Sequence, residues 1–348
     1  MSNVAHSVES HSVAQDAAGA RTAIDLFAGC GGLSIGLGQA GFTVEAAVEI
    51  DADACTTFAG LHNDAELFDG DIATVDFRQF RGDVRLVGAG VPCQPFSSGG
   101  KRLAAADPRD GFPQFLRAVR EVRPEAVLLE NVAGLAKSSR RSYFDSIIHA
   151  LEDIGFTVAW EFLNAADYGV PQKRVRLFAV GLRGREFTFP APTHGPGRRK
   201  GWVPAGSVLS DGKVTGEPNP SIVTYARNPD LRPSPYDGHV FNGGGRPIDF
   251  SRPSHTILAS AGGNKTHWVD TLGVVPAYHA KLVAGEPPLE GEVPGARRIT
   301  VAESALLQSF PLGMTFAGAR SNQYTQVGNA VPPLLAEALG RALADQLA

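Results

Sequence analysis

The sequence is poor in the residues that build disulfide scaffolds, zinc sites and membrane spans. Its 348 residues include three cysteines, two methionines and three tryptophans. Cys30, Cys55 and Cys93 show no CxxC spacing, which argues against a disulfide framework or a metal site and favours a reducing cytoplasm. No apolar run approaches the ~20 residues of a membrane span, so no membrane partner is expected. Residues 1–21 lack a basic start and an apolar stretch, and we predict a loose tail there rather than a signal peptide.

An excess of basic charge is also missing, because the formal net charge is −4. The charges are unevenly distributed, however. Ten acidic residues and one arginine lie between Asp25 and Phe80, whereas ten basic and four acidic residues lie between Arg174 and Arg232. The first stretch could hold a cationic small molecule and the second a polyanion. Two solvated surfaces would give the same pattern, and charge alone favours that simpler interpretation.

The first ordered stretch reads as a nucleotide-binding βαβ unit. Residues 22–27 predict a short buried strand, which is followed by the glycine turn 28–33 and a helix. A second strand over 43–48 ends at Glu49, 20 residues past Gly29. Dinucleotide-binding folds place the carboxylate that holds ribose hydroxyls at this spacing.

A second glycine pattern, residues 36–41, matches the GxGxxG fingerprint of nicotinamide oxidoreductases. It lies about ten residues past the strand, where the helix should already be running. We therefore interpret Gly41 as the cap that ends this helix, and the match as coincidental. An oxidoreductase remains a weak alternative.

Cys93 lies in the least ordinary stretch of the chain, residues 90–100, directly after a buried strand over 84–87. Pro92 and Pro95 stiffen the backbone around it. A thiol at the carboxyl end of a strand suits a nucleophile, although a buried structural cysteine is about equally expected from this stretch alone.

Charged side chains recur at later strand ends. Glu130 follows a predicted strand over 125–129. The stretch 172–176 leads into a strand predicted over 175–182, and the i, i+2 spacing of Arg174 and Arg176 puts both on one strand face. These arginines would be unremarkable on a surface strand but would form a clamp if they faced a shared cleft. The residue pattern also predicts helices over 51–61, 111–122 and 142–154, a strand ending at 70–72, and a strand over 157–163.

From about residue 185 to 296 prolines and glycines crowd in and helical periodicity disappears. This composition predicts a loop-rich domain that recognises the shape of a binding partner. A disordered insert is the alternative for part of it. Regular structure resumes with a capping box formed by Thr300 and Glu303, and a helix is predicted to reach Phe310. A last helix is predicted over 334–347.

Six of these stretches, in this order, resemble the motifs of DNA (cytosine-5) methyltransferases. They are the cofactor motif Asp25–Gly32, the catalytic motif Pro92-Cys93-Gln94, the substrate motif Glu130-Asn131-Val132, the QxRxR motif Gln172–Arg176, and the two closing motifs Arg297–Pro311 and Gln326–Pro333. After the tail predicted over 1–21, the resemblance implies a catalytic domain over 22–184 and 297–348, and a target-recognition domain over 185–296.

By this resemblance the fold is α/β, a doubly wound, mostly parallel, Rossmann-like sheet that binds S-adenosylmethionine at its strand ends. At Ile50 the family often carries an aromatic residue, so apolar packing against the adenine is expected here. The cofactor contacts that the resemblance implies are Phe27, Ala28, Gly29, Cys30, Gly31, Gly32, Glu49, Ile50, Asp71, Ile72, Gly90, Pro92, Phe112, Asn329 and Ala330.

The resemblance also implies the reaction. The Cys93 thiolate would add to C6 of a flipped-out cytosine, and Glu130, with a raised pKa, would offer a proton at N3. Arg176 would hold the base O2, and Arg174 would steady the loop or a phosphate and help to keep Cys93 ionised. The methyl group would then pass to C5, leaving S-adenosylhomocysteine.

The implied partner is double-stranded DNA, and we expect a monomeric bacterial enzyme from a restriction-modification system whose endonuclease it does not contact. A tRNA cytosine-5 methyltransferase and a catalytically silent DNA-binding protein are the alternatives. The long basic insert favours DNA over tRNA as the substrate. The intact catalytic residues argue against a catalytically inactive DNA-binding protein. Residues expected to contact DNA are Gln94, Ser97, Arg198, Arg199, Lys200, Asn264 and Lys265.

Overall fold

A seven-stranded sheet forms the centre of the computed structural model, which describes residues 21–92, 110–137, 140–209 and 216–347. Its strands are β1 (Thr22–Leu26), β2 (Thr43–Glu49), β3 (Glu66–Asp69), β4 (Leu86–Gly90), β5 (Ala126–Val132), β6 (Phe156–Asn164) and β7 (Val175–Arg183). They lie in the order β3-β2-β1-β4-β5-β7-β6, and β7 runs antiparallel to both of its neighbours. This architecture confirms the predicted mostly parallel, doubly wound sheet.

Helices cover both faces of this sheet. The helices of the described chain, on the sheet and beyond it, are α1 (Gly32–Gln39), α2 (Ala52–Ala59), α3 (Phe112–Val122), α4 (Arg141–Asp153), α5 (Gly206–Leu209), α6 (Val274–Val283), α7 (Val301–Leu307), α8 (Arg320–Asn329) and α9 (Pro333–Leu347). Phe115 and Phe144 of α3 and α4 join one buried cluster, and Leu37 and Leu339 of α1 and α9 join another. Each such buried side chain contributes roughly 1.5–3 kcal/mol. No helix within these ranges has the length and apolar character needed to cross a membrane.

The GxGxxG match is part of helix packing. Gly36 and Gly38 lie inside α1, and Gly41 follows the helix with a φ of 88°. A Cβ atom on Gly36 would lie 2.4 Å from the Cβ of Ala336, so glycine lets α1 approach α9 closely. The prediction that Gly41 ends the helix is confirmed, and the oxidoreductase alternative loses its motif.

Three predicted strand boundaries need correction. The strand predicted over 84–87 is β4, which spans Leu86–Gly90. The third strand was expected to end at 70–72, but β3 ends at Asp69. Asp71 instead caps a short 3₁₀ turn by accepting a hydrogen bond from the Ala73 amide at 2.9 Å. In β5 the strand continues through Glu130 to Val132, because β7 pairs with it as far as Arg176.

The region 185–296 contains more regular structure than its composition predicts. It holds β8 (Tyr225–Asp230), β9 (His239–Phe241), β10 (Trp268–Asp270) and the helices α5 and α6. The expectation that helical structure disappears here was wrong for α6, where Gly273 is the N-cap and Pro276 lies in the first turn, which tolerates proline. Phe241, Trp268 and Tyr278 form a separate aromatic core.

The closing segment begins with β11 (Ala296–Arg298), which pairs antiparallel with β10. The predicted domain boundary after residue 296 falls within this strand, and the domain division stays a prediction. The capping box of Thr300 and Glu303 is confirmed. The helix it starts ends at Leu307 rather than Phe310, because Ser309 adopts a left-handed conformation with φ of 65°.

Candidate active site

A cavity of about 700 Å³ opens where the carboxyl ends of β1, β2, β4 and β5 meet. The start of β7 and the segment joining α8 to α9 complete its walls. Doubly wound sheets bind their ligands at this edge. Nine of the predicted cofactor residues line the cavity: Phe27, Ala28, Gly29, Glu49, Ile50, Gly90, Pro92, Asn329 and Ala330.

The other six predicted cofactor residues lie outside these walls: Cys30, Gly31, Gly32, Asp71, Ile72 and Phe112. The buried Cys30 thiol donates to the Gln326 carbonyl, and Phe112 packs edge-on against Tyr143 in the α3–α4 core. Gly31 caps α1, whereas a Cβ atom on Gly32 would lie 2.4 Å from the Val331 carbonyl oxygen. Asp71 is exposed, and Ile72 is buried in the core.

The glycine turn and Glu49 form one rigid unit. Gly29, with a φ of 55°, donates its amide to Oε2 of Glu49 at 2.8 Å. The amides of Ile50 and Asp51 both donate to Oε1 at 2.8 Å. Three backbone donors therefore fix the carboxylate at the cavity wall, where hydroxyl groups of a ligand can still reach its remaining lone pairs. Ile50 leaves 71% of its side chain exposed beside it.

Asp25 is a cavity residue that was not among the predicted contacts. Its side chain is 1% exposed, and Oδ2 accepts a hydrogen bond from the Ser34 hydroxyl at 2.6 Å. Oδ1 has no hydrogen-bond partner among the residues that the structure describes. Burial raises the pKa of this carboxyl to about 7, and the nearby charge of Glu49 adds to the effect. The feature of the sequence that could have identified Asp25 is that it is the one carboxylate within an otherwise apolar strand.

Strand pairing brings the exit of β4 beside Glu130. Gly90 pairs with Glu130 in the β4–β5 ladder, and the Asn131 amide donates to the Val91 carbonyl at 3.0 Å. Pro92 lines the cavity and leads directly into Cys93. Cys93, Gln94 and Ser97 themselves lie outside the described residues. The chain thus leaves the sheet after Gly90 and lines the cavity as far as Pro92, one residue before the predicted nucleophile.

Glu130 and Arg176 form a nearly buried ion pair in this cavity. The Arg176 Nε lies 3.3 Å from Oε1 of Glu130, whose residue is 8% exposed. Burial raises the pKa of Glu130, while the charges of Arg176 and Arg174 act in the opposite direction. The direction of this pKa shift is the one expected for a carboxyl group in a dry pocket.

Arg174 lines the same cavity, so the two arginines face a shared cleft and do not sit on a surface strand. Its guanidinium is 1% exposed and donates to the carbonyls of Ile257 (3.2 Å), Gly328 (2.9 Å) and Ala330 (3.0 Å). The predicted role for Arg174 was contact with a loop or a phosphate. The observed bonds instead join the start of β7 to two other backbone segments, one at Ile257 and one at 328–330.

The predicted DNA contacts outside 90–100 lie on two exposed loops, away from the cavity walls. One loop, residues 194–200, carries Arg198, Arg199 and Lys200 and is closed by the Gly195 amide, which donates to the Lys200 carbonyl at 2.9 Å. The other loop, residues 258–265, carries Asn264 and Lys265 and follows the carbonyl that Arg174 holds.

Helix α8 supplies further cavity residues that the sequence analysis missed, namely Asn322, Thr325 and Gln326. The Asn322 amide donates to Asp53 at 2.7 Å, and the Thr57 hydroxyl donates to Gln326 at 2.7 Å. These bonds tie α8 to α2 across the cavity. Its polar sequence lacks the apolar stripe by which helices are recognised, so α8 was not predicted.

Comparison with known proteins agrees with this geometry. Residues 21–199 and 252–345 match the sequence model of the C-5 cytosine-specific DNA methylases. The chain is 31% identical to the type II methyltransferase M.NgoMIV of Neisseria gonorrhoeae over 94% of this chain and 98% of that protein. It is 34% identical to M1.HphI of Haemophilus parahaemolyticus over 92% of this chain and 86% of that protein.

Solved structures show the same fold. A DNMT2 variant of Spodoptera frugiperda is similar, with a TM-score of 0.70 and 19% identity over 93% of this chain and 99% of that one. The Dnmt2 methyltransferase of S. pombe gives a TM-score of 0.66 at 16% identity, over 94% of this chain and 98% of that one. With its sheet order, its strand-end cavity and a family match over most of its length, the chain belongs to the C-5 cytosine-specific DNA methylase family.

Proposed function

We propose that the cavity transfers a methyl group from S-adenosylmethionine to C5 of a flipped-out cytosine in a specific duplex DNA sequence. The observation that carries this proposal is the shared cavity, which joins Glu130 and Arg176 to Gly29 and Glu49. Membership of the family fixes the class of reaction. Type II relatives support a bacterial cytoplasmic modification enzyme of a restriction-modification system, which we take to act as a monomer.

The residues present fit the cofactor. Glu49 is held ready to accept ribose hydroxyls, and Ile50 offers an apolar surface to the adenine. The partnerless oxygen of Asp25 suits the cationic amino-acid end of the molecule. When bound, S-adenosylmethionine supplies an electrophilic methyl group, and the protein's task is to make C5 nucleophilic beside it.

Cytosine C5 gains its electrons from Cys93. Addition of the thiolate to C6 moves electron density towards N3 and C5, and the protonated Glu130 donates at N3 as that charge develops. Arg176, paired with Glu130, is positioned to donate to the base O2. After C5 takes the methyl group, a solvent base removes the C5 proton and the electrons of that bond expel the Cys93 thiolate from C6. The N3 proton returns to Glu130, and neutral 5-methylcytosine is released.

The base reaches this cavity only when it leaves the duplex, at a cost of a few kcal/mol. Contacts from the region 185–296 offset that cost in the proposal. Arg198, Arg199 and Lys200 lie together on one exposed loop, as phosphate contacts require. Asn264 and Lys265 lie on the loop that follows Ile257, whose carbonyl accepts a hydrogen bond from Arg174, so we assign them to the DNA nearest the target base.

Bisulfite sequencing of a plasmid expressed with this protein tests the function. We expect protected cytosines within one short sequence motif, and none in a plasmid expressed with an empty vector. A parallel assay of methyl transfer to tRNA provides the comparison. Activity on tRNA with an unmodified plasmid would overturn the proposal.

Asp25 predicts a pH dependence of cofactor binding. With a pKa of about 7 it is mostly protonated at pH 6 and ionised at pH 8. Because only the carboxylate attracts the cationic cofactor, we expect the affinity for S-adenosylmethionine to rise about tenfold between these values. Calorimetric titration should show this rise in the wild type and a flat response in Asp25→Asn.

Stability without cofactor should change in the opposite direction. A pKa raised above its unfolded value means that the wild type loses stability as the pH rises from about 4 through about 7. Asp25→Asn should therefore match or exceed the wild-type melting temperature at pH 8. A steep pH dependence of cofactor affinity that persists in this variant would contradict the assignment.

A further inference from the structure

The segment Pro171–Arg174, which leads into β7, runs beside a segment of the region 185–296. The Ser254 amide donates to the Pro171 carbonyl at 3.0 Å, and the Lys173 amide donates to the Ser254 carbonyl at 2.9 Å. The Thr256 hydroxyl donates to the Lys173 carbonyl at 2.7 Å. Gln172 and Ser254 thus form a short parallel bridge, immediately before the arginine pair.

Two buried side chains of this segment hold the backbone of one residue, Ile257, at both its amide and its carbonyl. Oε1 of Gln172 accepts from the Ile257 amide at 2.8 Å, and the Arg174 guanidinium donates to the Ile257 carbonyl at 3.2 Å. Gln172 is 0% exposed and Arg174 is 1% exposed. Polar groups buried this completely are expensive to leave unpaired, so the backbone at Ile257 is strongly fixed.

The other ends of the same side chains reach the cofactor side of the cavity. The amide nitrogen of Gln172 donates to Oε1 of Gln308 at 2.9 Å, and Gln308 in turn donates to the Val327 carbonyl at 2.8 Å. Arg174 donates to the carbonyls of Gly328 and Ala330. Gln172 and Arg174 therefore connect Ile257 with the end of α8.

The loop 258–265 also contacts α8 directly. The Thr325 hydroxyl donates to the Ala259 carbonyl at 3.0 Å, and Thr325 lines the cavity. A Cβ atom on Gly328 would lie 2.3 Å from the Ala259 amide nitrogen, so the two backbones are in close contact. If α8 moves, the loop 258–265 therefore has to move with it.

We infer that Gln172 is a positioning residue that couples cofactor binding to DNA binding. It does so by fixing the position of the loop 258–265 relative to α8, which forms one wall of the cavity. The inference rests on the proposed function. Such coupling is reciprocal, so each ligand raises the affinity for the other by the same factor.

The test measures coupling with S-adenosylhomocysteine and a duplex containing the site found by bisulfite sequencing. DNA affinity is determined with and without saturating S-adenosylhomocysteine, in the wild type and in Gln172→Met. This variant keeps the volume of the side chain but loses its three hydrogen bonds, to the Ile257 amide, the Gln308 side chain and the Leu307 carbonyl. The coupling ratio is the DNA affinity with S-adenosylhomocysteine divided by the DNA affinity without it. We expect this ratio to be at least about fivefold in the wild type and less than about twofold in the variant. Gln79→Met, on an exposed turn, is the matched control and should keep the wild-type ratio.

A merely structural role would lower both affinities and leave their ratio unchanged, so an unchanged ratio in Gln172→Met overturns the inference. Absence of coupling in the wild type overturns it as well. If Gln172→Met does not fold, Thr325→Val removes the hydroxyl bond to Ala259, and an unchanged ratio there counts equally against it. Failure of the proposed function would be distinct, since the wild type would then leave the plasmid unmethylated.

Discussion

Replacing Cys93 with alanine should abolish methyl transfer, with a loss of about 10⁴-fold or more in turnover. Without a thiolate at C6 the cytosine ring cannot make C5 nucleophilic, and no other thiol can substitute. Among the described residues, the Cys30 and Cys55 thiols are buried, and burial raises their pKa values to about 12 and about 11. Tritium transfer from labelled S-adenosylmethionine to plasmid DNA measures the loss.

Binding of S-adenosylmethionine should survive in Cys93→Ala, because the cofactor contacts proposed at Gly29 and Glu49 do not involve the thiol. Cys55→Ala is the matched control and should retain transfer. A duplex carrying 5-fluorocytosine at the target should trap a covalent complex with the wild type and with the control, since fluorine cannot leave as the proton does. Unchanged turnover in Cys93→Ala, or a trapped adduct with it, would end the proposed mechanism.

Replacing Glu130 with glutamine should lower turnover by about 10²–10⁴-fold. Glutamine fills the same space beside Arg176 but cannot transfer a proton to N3. Since the protonated carboxyl is the active form, wild-type activity should decline as the pH rises through the raised pKa of Glu130. Single-turnover rates across the pH range should show this decline in the wild type and lose it in Glu130→Gln.

Stability measurements separate this effect from misfolding. Because burial raises the pKa of Glu130, the wild type loses stability as the pH rises through that pKa, and a neutral glutamine avoids this loss. Glu130→Gln should therefore remain folded at pH 8. Glu161→Gln, on the exposed side of β6, is the control. A Glu130→Gln enzyme as fast as this control would exclude proton donation by Glu130.

Local patterns were sufficient for much of the fold. Apolar runs located β1, β2, β4 and β5, and the glycine turn with Glu49 was predicted from spacing within a single βαβ unit. The capping box at Thr300 and the helix cap at Gly41 are encoded in a few adjacent residues. Such features depend on neighbours in the sequence, and so they can be recognised without a structure.

The sequence by itself determined the order of the motifs, the class of sheet and the residue types of the candidate site. Only the tertiary structure decided which groups meet. Arg174 contacts carbonyls more than 150 residues away, and α8 is stabilised by bonds to Asp53 and Thr57 rather than by an apolar stripe of its own. Asp25 became a candidate only when its second oxygen was found buried without a partner in the described structure. Such properties arise from burial and from pairing between distant segments, which local periodicity does not record.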